Sequence, residues 1–367
     1  MKNGKNKKAK GPEPSRRIIA AMSGGVDSSV AAALLKKQGY FVIGVFMKFW
    51  KDGKRGENRC CSTDSEKRAR QVARVLDIPF YIINAEKEFK KKVVDYFLKE
   101  YKKGNTPNPC VVCNKEIKFG FLIKKALSLG ADFVATGHYA RIKNGKLLKG
   151  KDKNKDQSYF LWQLNQKQLS RILFPVGKYT KPEVRALAKK FKLPVAETPE
   201  SQEVCFIKNT VNEFLKKYLK IRPGKIIEFQ DVRHPAGCRT SPKILGEHQG
   251  LWFYTIGQRK GIGLSGGPYF VVAKDLKNNN LIVSKNQKDL EGKELIAQNV
   301  NWICPQKLPI EADVKIRYKS NFAKAKIFKT GGQRIKVVFQ KPQKAPTPGQ
   351  SVVFYKGEEL LGGGVIN

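Results

Sequence analysis

Seven residues, Ser23 to Ser29 (SGGVDSS), limit what this chain can fold into more than any other stretch. They follow an apolar run, Ile18 to Met22, of the length of a buried strand. They precede Val30 to Leu35, an Ala/Leu-rich stretch that reads as helix. A strand, a tight turn and a helix are thereby expected. Gly24 and Gly25 let the backbone turn sharply and approach a ligand, while Asp27, Ser28 and Ser29 suit a helix N-cap or first turn. The N–H groups and dipole of such a terminus suit an anion, phosphate above all. The string has neither the frame of a Walker A loop nor the spacing of a dinucleotide fingerprint.

Helix and strand keep alternating downstream. Tyr40 to Phe46 reads as a second buried strand ending at Met47, at the sheet edge where nucleotide crevices open. A polar loop, Lys48 to Arg59, leads to a helix over Asp64 to Leu76 with Val72, Val75 and Leu76 on its buried face. Phe80 to Ile83, Gly120 to Leu129 and Ala131 to Thr136 then give strand, helix and strand, the pattern of a doubly wound parallel sheet. The string ATGHY sets Gly137 and His138 at the same sheet edge, which favours a site role for His138 over an ordinary surface histidine. In Thr106 to Gly120 (TPNPCVVCNKEIKFG) two prolines imply an exposed, extended approach to Cys110 and Cys113. No second C-x-x-C or His pair completes a zinc site with them.

Lys143 to Lys155 reads as a linker of lysines. Asp156 to Leu164 (DQSYFLWQL) combines aromatics with flanking cations, an arrangement that serves single-stranded RNA or a core equally well. TKPE at 180–183 is a capping box opening a helix that runs to about Lys190. Cys205 stands on a polar loop feeding an apolar segment, where a cysteine by itself is more often inert than catalytic. After Tyr218 short alternating runs replace helices. Asp313 to Lys319 is expected to turn Val314, Ile316 and Tyr318 inward and Lys315, Arg317 and Lys319 outward, one strand of a small barrel with a cationic face. The division expected is a disordered basic arm at 1–15, a catalytic α/β domain at 16–217, a central β domain at 218–290 and a β-barrel at 291–367.

Charge decides the partner class. Lys and Arg number 72 against 31 Asp and Glu, a formal net charge of +41, and so many unbalanced cations call for a polyanion, nucleic acid first. No apolar stretch has the length of a membrane span and the N-terminus lacks the apolar segment of a signal peptide, so a cytoplasmic location without membrane partners is expected. Seven cysteines in a reducing compartment point to reactive or metal-binding thiols rather than a disulfide framework.

The loop SGGVDSS resembles the SGGxDS loop of N-type ATP pyrophosphatases, which cleave ATP between the α- and β-phosphates. Together with Cys60-Cys61-Ser62, NPCVVCNKEIKFG, ATGHY, KDQSYFLW, SQEVCFI and YTIGQRKGIG, it occurs in the order and spacing of bacterial tRNA-specific 2-thiouridylases. The resemblance implies an adenine nucleotide α-hydrolase-like sheet with two small β domains, and ATP-dependent transfer of sulfur to C2 of an adenylated wobble uridine. It implies Cys113 as nucleophile and Cys205 as persulfide carrier, with ATP at Ala21, Met22, Ser23, Gly24, Gly25, Val26, Asp27, Ser28, Met47 and Gly137 and magnesium beside it near Asp27. It implies tRNA contacts from Asn108, Pro109, Cys110, His138, Lys155, Asp156, Gln157, Arg317, Tyr318 and Gln350. The partners implied are tRNA with Lys, Glu and Gln acceptors and a persulfide donor protein, and YTIGQRKGIG resembles the segment that closes over the site. One departure stands out: Cys110 occupies the place where the family motif often has Asp. It leaves Cys110, Cys113 and Cys205 as three thiolates able to hold an iron–sulfur cluster, an alternative to the persulfide route. Another pyrophosphate-loop synthetase or amidotransferase would explain SGGVDSS but not the cysteines, and a non-catalytic RNA binder would explain the charge but not the loop.

Overall fold

A computed structural model describes residues 16–53, 61–199, 204–229 and 242–367. The basic arm, Cys60, most of the polar loop before it and residues 200–203 of the Cys205 segment lie outside the described residues.

The first strand β1 (Arg17–Ala21) pairs in parallel with β2 (Phe41–Lys48), and β2 with β3 (Phe80–Asn84). The chain then crosses back, so that β4 (Phe133–Ala135) lies on the other side of β1. The hairpin β5 (Ala140–Lys143) and β6 (Lys146–Lys149) follows, and β7 (Ile172–Leu173) completes a five-stranded parallel sheet in the order β3-β2-β1-β4-β7. The doubly wound sheet read from the sequence is borne out. Its order reverses between β1 and β4, which opens a crevice beyond their carboxyl ends at SGGVDSS and ATGHY. Both faces are covered, and Ile18, Ile19 and Ala20 are completely buried, as a continuous apolar run in a parallel strand should be.

Helix α1 (Val26–Lys37) buries all of Val30 to Leu35. Helix α2 (Thr63–Val75) carries Ser62 as its N-cap and buries Val72, but Val75, expected inside, is 51% exposed. The inward stripe runs instead through Ser65, Ala69, Val72 and Ala73, spaced three and four apart. The TKPE capping box is present with both bonds at the start of the helix Lys181–Lys190.

Two β domains follow. The central sheet has the order β10-β11-β8-β9, from β8 (Gly224–Glu228), β9 (Ile244–His248), β10 (Phe270–Asp275) and β11 (Asn280–Ser284). The C-terminal unit is a six-stranded antiparallel barrel of β12 (Glu291–Trp302), β13 (Ile310–Lys315), β14 (Ala323–Gly331), β15 (Arg334–Lys344), β16 (Ser351–Lys356) and β17 (Glu359–Ile366), closed by β12 against β17. The expected barrel is borne out, although β13 ends at Lys315, so the alternation expected to Lys319 gives way to a turn after Ile316.

One reading needs correction, and one left open is decided. Lys143 to Lys155 is no linker: Asn144 and Gly145, both at positive φ, form the turn of the β5–β6 hairpin, and β6 extends the barrel sheet by pairing with β17. The aromatic segment at 156–164 is core rather than an exposed RNA platform, since Tyr159, Leu161, Trp162 and Leu164 are all buried. Its 3-10 turn, Ser158–Leu161, directs these side chains between the α/β domain and the barrel, where Tyr159 donates to the Ser351 carbonyl at 2.8 Å and Ser158 meets Tyr355 at 3.1 Å.

Candidate active site

The loop after β1 braces itself. Met22 N donates to the Val45 carbonyl at 2.8 Å, Ser23 N donates to Ser28 Oγ at 3.2 Å, and the Ser28 and Ser29 hydroxyls both donate to the Gly25 carbonyl. Arg68 of α2 donates to the Gly24 carbonyl at 3.2 Å. Gly24 is required twice over: its φ is +76°, and a Cβ there would run into the Ser65 carbonyl. Gly137 is required for closeness, because a Cβ would stand 2.5 Å from the Ser28 nitrogen. The N-cap of α1 is Gly25 and no side chain caps the helix, so its first-turn N–H groups form a donor cluster at the crevice. That donor set fits the phosphates of ATP. Of the apolar residues expected at the nucleotide, Met22, Val26 and Met47 are buried and Ala21 is partly so.

Asp27 projects from the first turn of α1. Its Oδ1 accepts from Tyr139 Oη at 2.8 Å and pairs with Lys181 Nζ at 2.7 Å. Lys181 is 7% exposed and anchored by its own N–H to Asp152. Sequence reasoning took Lys181 only as the start of a helix. A signal was present, since a cation in a first helical turn opposes the dipole and needs a compensating partner. Asp27 is such a partner.

Asn105 to Asn108 approach in irregular conformation, but the approach is not exposed as expected, since Pro107 and Pro109 are buried, and Cys110 and Cys113 then lie on a helix, Pro109–Cys113, with Pro109 in its first turn. Cys110 is exposed and Cys113 buried. Cys205 is half-buried, and the next residue, Phe206, is held in an aromatic cluster with Phe89, Phe97 and Phe214. Among the described residues no three His, Cys, Asp or Glu side chains gather to hold a metal ion. The three-thiolate set of Cys110, Cys113 and Cys205 is therefore not formed in this structure.

The residues expected to meet tRNA come from distant segments. Gln350 Nε2 donates to the Thr106 carbonyl at 2.8 Å and Thr106 N to the Pro348 carbonyl at 2.8 Å, which seats the barrel on the approach to Cys110. The Thr106 and Thr255 hydroxyls are 3.3 Å apart, so YTIGQRKGIG adjoins the same approach. Tyr318 stacks 4.5 Å from Phe160, Tyr159 bonds to the Asn108 side chain, and Arg317 donates to the Lys344 and Ala345 carbonyls. Lys155, Asp156 and Gln157 lead into that seam, Gln157 accepting from Tyr139 N at 3.0 Å and Asp156 from Gly150 N at 2.9 Å. His138 differs: it is buried between Phe119 and Phe174, with Nδ1 2.7 Å from the Thr136 hydroxyl. Burial first, and the nearby Lys118 charge second, hold its pKa well below the usual histidine value. A neutral His138 inside the wall contacts RNA only if the wall moves.

The chain matches three family models: the tRNA methyl transferase HUP domain at residues 16–209, the tRNA methyl transferase PRC-barrel domain at 212–285 and the aminomethyltransferase beta-barrel domain at 292–366. It is 49% identical over 370 aligned positions to tRNA-specific 2-thiouridylase MnmA 2 of Thermoanaerobacter sp. (strain X514), covering 96% of this chain and 98% of that one. The chain belongs to the tRNA-specific 2-thiouridylase family. Two further 2-thiouridylases, from Carboxydothermus hydrogenoformans and Halalkalibacterium halodurans, are each 47% identical and cover 96% and 98% of this chain, with 97% and 96% of their own lengths. The family resemblance read from the motifs is thus borne out across the whole length.

Proposed function

We propose that this protein replaces the C2 oxygen of the wobble uridine of tRNA with sulfur, at the expense of ATP. The observation that carries the reading is the near-complete alignment with relatives named tRNA-specific 2-thiouridylases. The uracil carbonyl is a poor electrophile, and adenylation of its oxygen supplies a leaving group. In this scheme the N–H groups opening α1 and Ser23 bind the phosphates, and Lys181 exchanges Asp27 for the departing pyrophosphate. Magnesium fits a site where phosphates and the single Asp27 carboxylate would hold it, and when bound it neutralises charge on the leaving group.

Cys205 carries the sulfur as a persulfide whose terminal sulfur attacks C2 and expels AMP. Cys113 then attacks the Cys205 sulfur, the S–S bond breaks, the thiocarbonyl is released, and a Cys113–Cys205 disulfide remains for an external thiol reductant. A protein donor reloads Cys205, and the tRNAs with Lys, Glu and Gln acceptors are the expected substrates. We further assign residues 16–217, 218–290 and 291–367 as catalytic, central and RNA-binding units.

The test is incubation with tRNA, ATP and a persulfide donor, followed by mass analysis of the digested nucleosides. Replacement of oxygen by sulfur at uridine, with one AMP and one pyrophosphate per event, is the result expected. A methyl gain would favour the transfer suggested by the description of the family model and sink this one.

A further inference from the structure

The seam between the β5–β6 hairpin and the barrel holds a pair of cations that the proposed chemistry does not use. Lys149, the last residue of β6, sets its Nζ 3.8 Å from the centre of the Phe322 ring and 4.8 Å from that of Tyr355. Lys315, the last residue of β13, reaches the same Phe322 ring at 5.0 Å and donates to the Tyr318 carbonyl at 2.8 Å. Phe322 is 42% exposed and stands edge-on to buried Tyr355 at 5.2 Å.

Neither lysine forms a salt bridge among the described residues, although Asp156 acts electrostatically on both and Asp313 and Glu358 on Lys149. Asp313 pairs with Lys324 at 2.8 Å, Glu358 with Arg141 at 2.9 Å, and Asp156 accepts from Gly150 N and from Ser158. Burial lowers the pKa of both ammonium groups, Lys149 and Lys315. Two partly desolvated cations on one exposed ring constitute a site prepared for an anion, with the ring holding them in place by cation–π attraction while that anion is absent.

We propose that Lys149 and Lys315, gathered over Phe322, bind a backbone phosphate of the RNA substrate. This deepens the reading given above and rests on it. An RNA strand is favoured over a small free anion because the pair adjoins the Tyr318 ring on the seam, and because the +41 chain calls for a polyanion rather than a single charge. Contacts of this kind fix register and carry no base information, so the pair would position tRNA without selecting the uridine.

Binding of unmodified tRNA to the full chain, measured across a salt series, tests it. The double variant Lys149→Ala/Lys315→Ala should bind roughly tenfold more weakly at low salt, with the slope of log K against log salt reduced by about one. Lys149→Arg/Lys315→Arg should restore both, and Phe322→Leu, which keeps apolar bulk without the ring quadrupole, should fall between. Wild-type affinity and slope in the double alanine variant would overturn the proposal, as would an equal loss in the arginine variant, which would assign the effect to folding. Thiolation by the wild-type chain is assayed in parallel. Its absence counts against the proposed function, whereas its presence beside an unchanged double alanine variant counts against the phosphate site alone.

Discussion

The loop after β1 and the seam between the domains are held together in different ways. In the loop, Ser23 and Ser28 are five residues apart and Ser28 reaches back three to Gly25. At the seam, Thr106 meets Thr255 across 149 residues, Tyr159 meets Ser351 across 192 and Gln350 meets Thr106 across 244. A loop braced from within its own domain, by Val45, Arg68, Tyr139 and Lys181, keeps its shape whatever the other domains do, while a seam assembled from three domains exists only when all are docked. Chemistry and substrate grip should therefore fail separately.

The cysteines give the sharpest separation, because the proposed sulfur transfer needs them and ATP binding does not. Cys205→Ser should abolish thiolation and lose protein-bound labelled sulfur, and Cys113→Ser should abolish thiolation yet still accept the label, while both keep forming AMP. Cys110→Ser should retain activity without iron. A fully active Cys205→Ser variant would end the persulfide scheme. Next in size, Asp27→Ala should cut ATP turnover on the order of a hundredfold or more while tRNA affinity stays near wild type. If tRNA affinity fell as far, the two regions would not be separable.

How much of this was legible in the sequence follows the same division. SGGVDSS, the sheet, the capping box and the barrel are local patterns, and local patterns were readable. Lys181 escaped because its partner, Asp27, is 154 residues away. The lysine-rich hairpin escaped because charge obscured an Asn-Gly turn, and its two fully buried residues, Ala140 and Leu147, are too weak a strand signal. Tyr159 and Trp162 were ambiguous for a physical reason: large aromatics serve a domain junction and a nucleobase equally well, and only burial distinguishes the two.

Smaller effects sharpen the contrast at the seam. Tyr159→Phe removes the hydroxyl shared by Ser351 and Asn108 and should cost about 1 kcal/mol of stability in denaturant unfolding, with ATP turnover in the loop unaffected. A loss of AMP formation at unchanged fold would show that the seam feeds the loop after all. The smallest effect concerns Lys274, whose Nζ donates to the Gly104 carbonyl at 2.8 Å between the central and α/β domains. Burial pushes its pKa down to about 8. The unfolded chain therefore holds this proton more tightly than the folded one, so the contribution of Lys274 rises as pH climbs from about 8 toward the usual lysine value near 10.5. Unfolding of wild type and Lys274→Met across that range should show wild type gaining on the variant, and a constant difference would refute the assignment.

The pairing of β6 with β17 has a consequence for biosynthesis. Lys146 bonds to Glu359, 213 residues further along the chain, so the hairpin leaves the ribosome long before its partner exists. During that interval one edge of a lysine-rich ribbon is open, and its charge is the feature that deters neighbouring nascent chains from adding strands to it. The lysines of this ribbon thus guard the chain during synthesis, before the finished fold puts Lys149 at the seam.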